Sequence, residues 1–305
     1  METFFQDGQL CQRWRCGAST YTACMELGAR LMRWELSLPT GTREVIHWPQ
    51  DVALSSIASM HGGNPILFPF PGRSYADGEK FAWLDTEGIK RPMPQHGLAR
   101  QGRFKLAHCS ANGVESVFLP DAVAHSAYPY DYTFRVRYTF RELALLCELE
   151  LTNHGVCNIP WCAGHHFYFT LPWHKGLSRV DYTINLPSKK HFRHAADGKL
   201  VPFRDVTFPS DFANPEIRDL ICTKLKSNRL SFGPKSGEED IAILINDLPI
   251  PDAWTTVVTW TRDDESPFYC VEPWMGPPNC PEHKNGLHWV APGETEKFAI
   301  TVSLF

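Results

Sequence analysis

"YTFRVRYTFRELALLCELEL", residues 132–151, alternates in a way that only an extended chain can use. Phe134, Val136, Tyr138 and Phe140 fall on one side, and Thr133, Arg135, Arg137 and Thr139 on the other. In the second half Leu145, Cys147, Leu149 and Leu151 share a side, with Glu148 and Glu150 opposite. Two such runs joined at Arg141-Glu142 predict an antiparallel hairpin with one face in a core and one in water. Across the wet face the arginines and glutamates can pair, each pair contributing about 0.2–1 kcal/mol.

The same period recurs in "WTTVVTWTR" (254–262) and in the closing "KFAITVSLF", where Phe298, Ile300, Val302 and Leu304 share a face. Turn signals separate such runs: "ADG" at 76–78 and 196–198, "ANG" at 111–113, "APG" at 291–293. The 24 prolines and 21 glycines are spread along the chain, and no helical stripe persists beyond two or three turns. The expectation is an all-β chain, one domain over 1–305, built from two or more large antiparallel sheets packed face to face.

Composition limits the function. With 305 residues, 43% hydrophobic and 21% charged, there is ample material for a core. A net charge of −4 without a basic run argues against a nucleic-acid partner. No apolar run is long enough to cross a membrane, and the N-terminal stretch lacks the apolar core of a secretory signal. The ten cysteines are scattered, with four residues inside Cys11/Cys16 and inside Cys157/Cys162, which is neither zinc nor redox spacing. They read as reduced, mostly buried thiols of a cytoplasmic protein, expected as a monomer or weak homodimer.

Four segments break the plain strand pattern: "HGGNPILFPFPGR" (61–73), "MPQHGLARQGRF" (93–104), "WCAGHHFYFTLP" (161–172) and "YCVEPWMGPPN" (269–279). In the third, His165 and His166 lie in an aromatic strand, where a buried imidazole is costly unless bonded or used. Either both are satisfied core residues, or one faces a pocket. In the fourth, Glu272 sits among Val271, Pro273 and Trp274. A desolvated carboxylate there holds its proton more tightly and suits a general base, the bland alternative being a salt bridge. His96 and Arg100 flank a glycine, Arg73 closes the first segment, and Trp274 and Phe70 are aromatics of the kind that stack on sugars. Only "HFRH" (191–194) sets two imidazoles close together, without further ligands nearby, so neither a metal nor a cofactor is expected.

In order along the chain, "GGxPxxFP", "HGLAR", "HxYF" and "VEPW", followed by "WVAPGETEKFAITVSLF", resemble the aldose 1-epimerase (mutarotase) family. They most resemble its hexose-6-phosphate mutarotase-like branch, from about residue 61 to the end. The resemblance implies a β-supersandwich of the galactose mutarotase type, and an isomerase that interconverts α and β anomers of an aldohexose or hexose-6-phosphate. It implies His166 as acid, Glu272 as base, His96 near the ring oxygen or C1 hydroxyl, and Arg100 on a hydroxyl or phosphate, with Arg73 lining the pocket. The small-molecule partner would be a sugar or sugar phosphate. Galactose mutarotases also place an aspartate in the pocket, for which Asp247 in "INDLP" is the candidate here. His61 stands where the phosphate-using relatives carry arginine, which weakens one phosphate contact. A sugar-binding protein on the same scaffold would need neither His166 nor Glu272. A glycosidase would need a second carboxylate.

Overall fold

A computed structural model describes residues 1–50 and 52–305. The opening hairpin forms in the register its alternation predicts. Tyr132–Phe140 pairs antiparallel with Ala144–Asn153, setting Arg135 opposite Glu150 and Arg137 opposite Glu148. The connection takes residues 141–143, one more than expected, and closes with the Arg141 N–H donating to the Ala144 carbonyl at 2.8 Å. On the wet face the arginines find a third partner. Glu115, from the next strand, bridges Arg135 at 3.0 Å and Arg137 at 2.6 Å.

That hairpin lies inside a sheet of nine strands among the described residues. Its order is Arg103–Ser110, Gly113–Leu119, Tyr132–Phe140, Ala144–Asn153, Thr295–Leu304, Ile241–Ile245, Arg229–Pro234, Tyr182–Asn185 and Ser210–Asp211. The last long strand of the chain therefore sits in the middle of the sheet, with Phe298, Ile300 and Val302 buried and Leu304 partly so.

A second, larger sheet begins with the meander Glu2–Gln6, Gln9–Cys16, Ser19–Cys24, Arg30–Leu38 and Gly41–Ile46. It continues through Phe167–Thr170, Phe268–Trp274, Thr256–Trp260, Leu220–Leu225, Ser188–His194 and Leu200–Phe203. The two sheets press aromatic rings between them: Phe140 stacks on Tyr21 at 4.6 Å and lies 4.7 Å from Trp14, and Phe169 meets Phe232 at 4.9 Å. All-β architecture with large antiparallel sheets is what the alternation called for.

One strand departs from the simple pattern. Thr256–Trp260 is buried along Thr256, Val257, Val258 and Thr259, so "WTTVVTWTR" has no wet face. Val257 belongs to the core between the sheets, whereas Val258 packs with Trp274, Leu67 and Ile221 on the far side. The larger sheet thus has a second buried face, away from the smaller sheet.

The size of the inter-sheet ring cluster predicts its cost. Phe140→Ala should lower stability by about 3–5 kcal/mol, read as a shifted urea midpoint at unchanged slope. Glu115→Gln, which breaks partly exposed ion pairs, should cost about 1 kcal/mol or less. Equal losses for the two variants would mean that ring packing is not what joins the sheets.

Candidate active site

The far face of the larger sheet floors a cleft of about 840 Å³. Its floor comes from Tyr168, Val258, Trp260, Glu272 and Trp274, and its rim from loops carrying His61, Arg73, His96 and Arg100. Strand pleat explains the floor. Along Phe268–Trp274, Tyr269 and Val271 point into the inter-sheet core, which sends Cys270, Glu272 and Trp274 the other way.

The adjacent histidines separate for the same reason. His165 lies in the core, stacked on Phe167 at 5.4 Å and Phe298 at 6.1 Å. Burial pushes its pKa down to about 3, so the ring is neutral. His166 faces the cleft, stacked on Tyr168 at 4.8 Å. Asn64 holds the pair apart: its side chain lies 3.0 Å from His165 Nδ1 and accepts the His166 backbone N–H at 3.0 Å. The same N–H also reaches the Pro65 carbonyl at 3.2 Å, so the backbone is held from two sides where the imidazole turns outward.

His166 Nε2 stands 3.4 Å from Glu272 Oε2. Glu272 is 1% exposed, and burial pushes its carboxyl well above the ordinary range, with the Asp219 charge adding to the effect. Burial likewise holds His166 well below its usual range, helped by His96, Arg100 and Arg30. His166 Nδ1, Glu272 Oε2 and Trp274 Nε1 have no hydrogen-bond partner among the described residues. Buried polar atoms seldom go unmatched, and these converge on one cleft.

His96 occupies a left-handed backbone conformation (φ 67°), followed by Gly97 at φ 78°. A Cβ on Gly97 would meet the Phe68 carbonyl oxygen at 2.1 Å, so only glycine allows this turn. The turn is locked by a reciprocal pair: the His96 N–H donates to the Gly72 carbonyl at 2.7 Å, and the Gly72 N–H to His96 Nδ1 at 3.2 Å. Nδ1 is therefore the acceptor, and Nε2 carries the proton, with the Gln95 side-chain amide 3.2 Å from it. Burial first, then Arg100 and Arg73, push the His96 pKa down to about 3. Its ring stands 5.1 Å from that of His166.

The rim is cationic. Arg218 is paired with Asp264, and Arg193 with Glu216 at 3.5 Å. Arg73 and Arg100 also line the cleft and enter no ion pair among the described residues. His61 lies 6.0 Å from Tyr168 and edge-on to Trp260 at 5.4 Å, so it extends the aromatic wall.

His166, Glu272, His96, Arg100, Arg73 and Trp274 are thus brought to one cleft. Asp247 is not. It sits in the exposed segment after Ile241–Ile245, an element of the smaller sheet, outside the cleft lining. The aspartate that does line the cleft is Asp219, at φ 55° immediately before Leu220–Leu225. A left-handed aspartate just ahead of an apolar strand was the only available signal, and "IRDL" does not stand out. His191 and His194 line different cavities, as residues three apart on a strand must, so they do not share a ligand.

Residues 13–219 match the family model described as Aldose 1-epimerase. The chain belongs to the aldose 1-epimerase family. The match starts earlier than the resemblance at residue 61 and stops short of Glu272 and Trp274. Protein LacX of Lactococcus lactis subsp. lactis is 22% identical over 262 residues, covering 80% of this chain and 86% of its own. Among solved structures, a galactose mutarotase-like protein from Clostridium acetobutylicum superimposes with a TM-score of 0.81 at 14% identity, over 100% of this chain and 98% of that one. A galactose mutarotase-like protein from Lactobacillus casei gives 0.75 at 20% identity, over 97% and 100%. The fold is that of the galactose mutarotase-like proteins, and family membership supports a mutarotase-type function.

Glu272 carries a stability cost in this setting. A carboxyl that holds its proton more tightly folded than unfolded stabilises the protein fully only below the unfolded pKa, and that contribution is lost as pH rises toward the folded value. Glu272→Gln should therefore raise Tm at neutral pH. Its advantage over wild type should grow by up to about 1.4 kcal/mol per pH unit above pH 5. Melting curves at pH 5 to 8 test this, and a variant no more stable than wild type throughout would show the carboxyl to be solvated.

Proposed function

We propose that this protein catalyses anomer interconversion of a hexopyranose, with a hexose-6-phosphate as its substrate class. The observation that carries the reading is the buried Glu272–His166 pair, 3.4 Å apart on the cleft floor, facing two arginines without carboxylate partners among the described residues.

The chemistry needs one base and one acid. The Glu272 carboxylate takes the proton from the C1 hydroxyl, the C1–O5 bond breaks, and its electron pair moves to O5, which takes a proton from His166. The open-chain aldehyde turns about C1–C2, and the same two transfers run backwards to close the ring on the other face. Each proton transfer contributes about 10²–10⁴-fold. The pair works with one shared proton. The closed ring uses carboxylate and imidazolium, and the aldehyde leaves both groups neutral, the state that burial favours for each. His96, neutral and with Nε2–H as its donor, supplies a hydrogen bond at the ring oxygen or C1 hydroxyl. Tyr168, Trp260 and Trp274 offer the apolar surface on which sugar C–H faces pack. Arg100 and Arg73 match a phosphate, with Arg100 taking over the role that His61 cannot fill as a neutral ring.

NMR exchange spectroscopy on glucose-6-phosphate, glucose and galactose decides the matter. Glu272→Gln and His166→Ala should each lose about 10²–10⁴-fold in acceleration. Arg100→Met should raise KM for the phosphorylated sugar about tenfold or more while leaving glucose nearly unchanged. Saturable binding without acceleration would point to a sugar-binding protein. Activity surviving both of the first two substitutions would remove the pair from the mechanism.

A further inference from the structure

Cys270 has no part in the chemistry above, yet it lies beside it. It precedes Glu272 by two residues on Phe268–Trp274 and so shares its face. The facing strand pairs Phe167 with Val271 and Tyr168 with Cys270, which brings His166 opposite Glu272. A ring nitrogen of His166, the Cys270 sulfur and a Glu272 carboxylate oxygen all lie within 4.8 Å of one another, and all three residues are buried.

This spacing is close to that of a metal centre. Zinc bound tetrahedrally at about 2.0–2.3 Å sets its ligand atoms roughly 3.3–3.7 Å apart. The His166–Glu272 separation of 3.4 Å already falls in that range, and side-chain rotation of Cys270 closes the rest. The donor set selects the ion: one sulfur, one nitrogen and one oxygen suit zinc-like cations, whereas magnesium and calcium require oxygen ligands and more of them. Charge also fits. A thiolate and a carboxylate neutralise a dication, and a neutral centre is the form that the wall of Tyr168, Phe268 and Trp260 best tolerates.

Glu272 Oε2 meets the His166 ring at 3.4 Å but makes no aligned hydrogen bond among the described residues, which leaves it open to a ligand. Access runs through the cleft, which His166 and Glu272 line; Cys270 is fully buried beside them, packed with Tyr168 and Phe268. Resident metal sites usually anchor the second nitrogen of a histidine ligand, but His166 Nδ1 has no partner among the described residues. That argues for reversible occupancy.

We propose that His166, Cys270 and Glu272 form a reversible binding site for a thiophilic divalent cation of the zinc class, and that occupancy blocks anomer interconversion. The second half rests on the roles given to His166 and Glu272 above; the first half does not.

Cobalt(II) is the probe. Titrated into the chelator-treated full chain, it should give a thiolate charge-transfer band in the near ultraviolet with intense tetrahedral bands in the visible. Both should vanish in Cys270→Ala, or in Cys270→Ser should the alanine variant fold poorly. Zinc should inhibit wild-type turnover competitively with sugar and reversibly with chelator. Cys270→Ala should keep its metal-free rate and need at least tenfold more zinc for the same inhibition. Absence of the band, or an equal band in wild type and variant, would overturn the site. Zinc binding with undiminished turnover would overturn the block. Should no sugar be turned over by the metal-free protein, the mutarotase reading fails, and the cobalt spectrum alone still decides the site.

Discussion

The pleat of Phe268–Trp274, buried on both faces, is the constraint on which the rest depends. One set of its side chains must satisfy the aromatic core between the sheets, and Tyr269 and Val271 do so. The other set faces away from that core, toward the cleft. Loops close over part of this second face and leave a cleft in the remainder. Glu272 is consequently desolvated by geometry it cannot escape: a rotation of the strand that exposed it would drag Tyr269 and Val271 out of the core. Backbone pairing on both sides, to Phe167–Thr170 and to Thr256–Trp260, holds the strand in place.

Electrostatics in the cleft follow from that burial. Three histidines near the floor or just behind it, His96, His165 and His166, are driven toward the neutral form, while Glu272 is driven toward holding its proton. Arginines resist such neutralisation, so the rim stays cationic above an almost uncharged floor. A chain of net charge −4 thereby presents a locally positive pocket. The overall charge says nothing about this local field.

Much of the fold was legible because alternation with period two is a local property. The hairpin at 132–151, its Arg–Glu ladder and the closing strand each announce themselves in their own residues. The site was less so. His166 and His165 differ only by parity along a strand, and parity was enough to send them to opposite faces. Asp219 escaped notice because a single aspartate in "IRDL" acquires meaning only through the loop that turns it to the cleft. Asp247 looked equivalent in sequence and lies on the other sheet. Thr256–Trp260 read as half-exposed because local alternation cannot reveal that loops from residues 59–65 and 95–100 roof its outer face.

By itself, then, the sequence determined the all-β class, the strand faces of the 132–151 hairpin and the closing strand, and the residue types available for acid–base chemistry. These are short-range matters, set by side-chain period and by steric limits on the backbone. Tertiary structure alone decided that His166 and Glu272 stand 3.4 Å apart, that Cys270 joins them, and which arginines line the cleft. Those facts depend on pairing between segments about a hundred residues apart. The register of such pairing is chosen by the packing of the whole core, which no local stretch encodes.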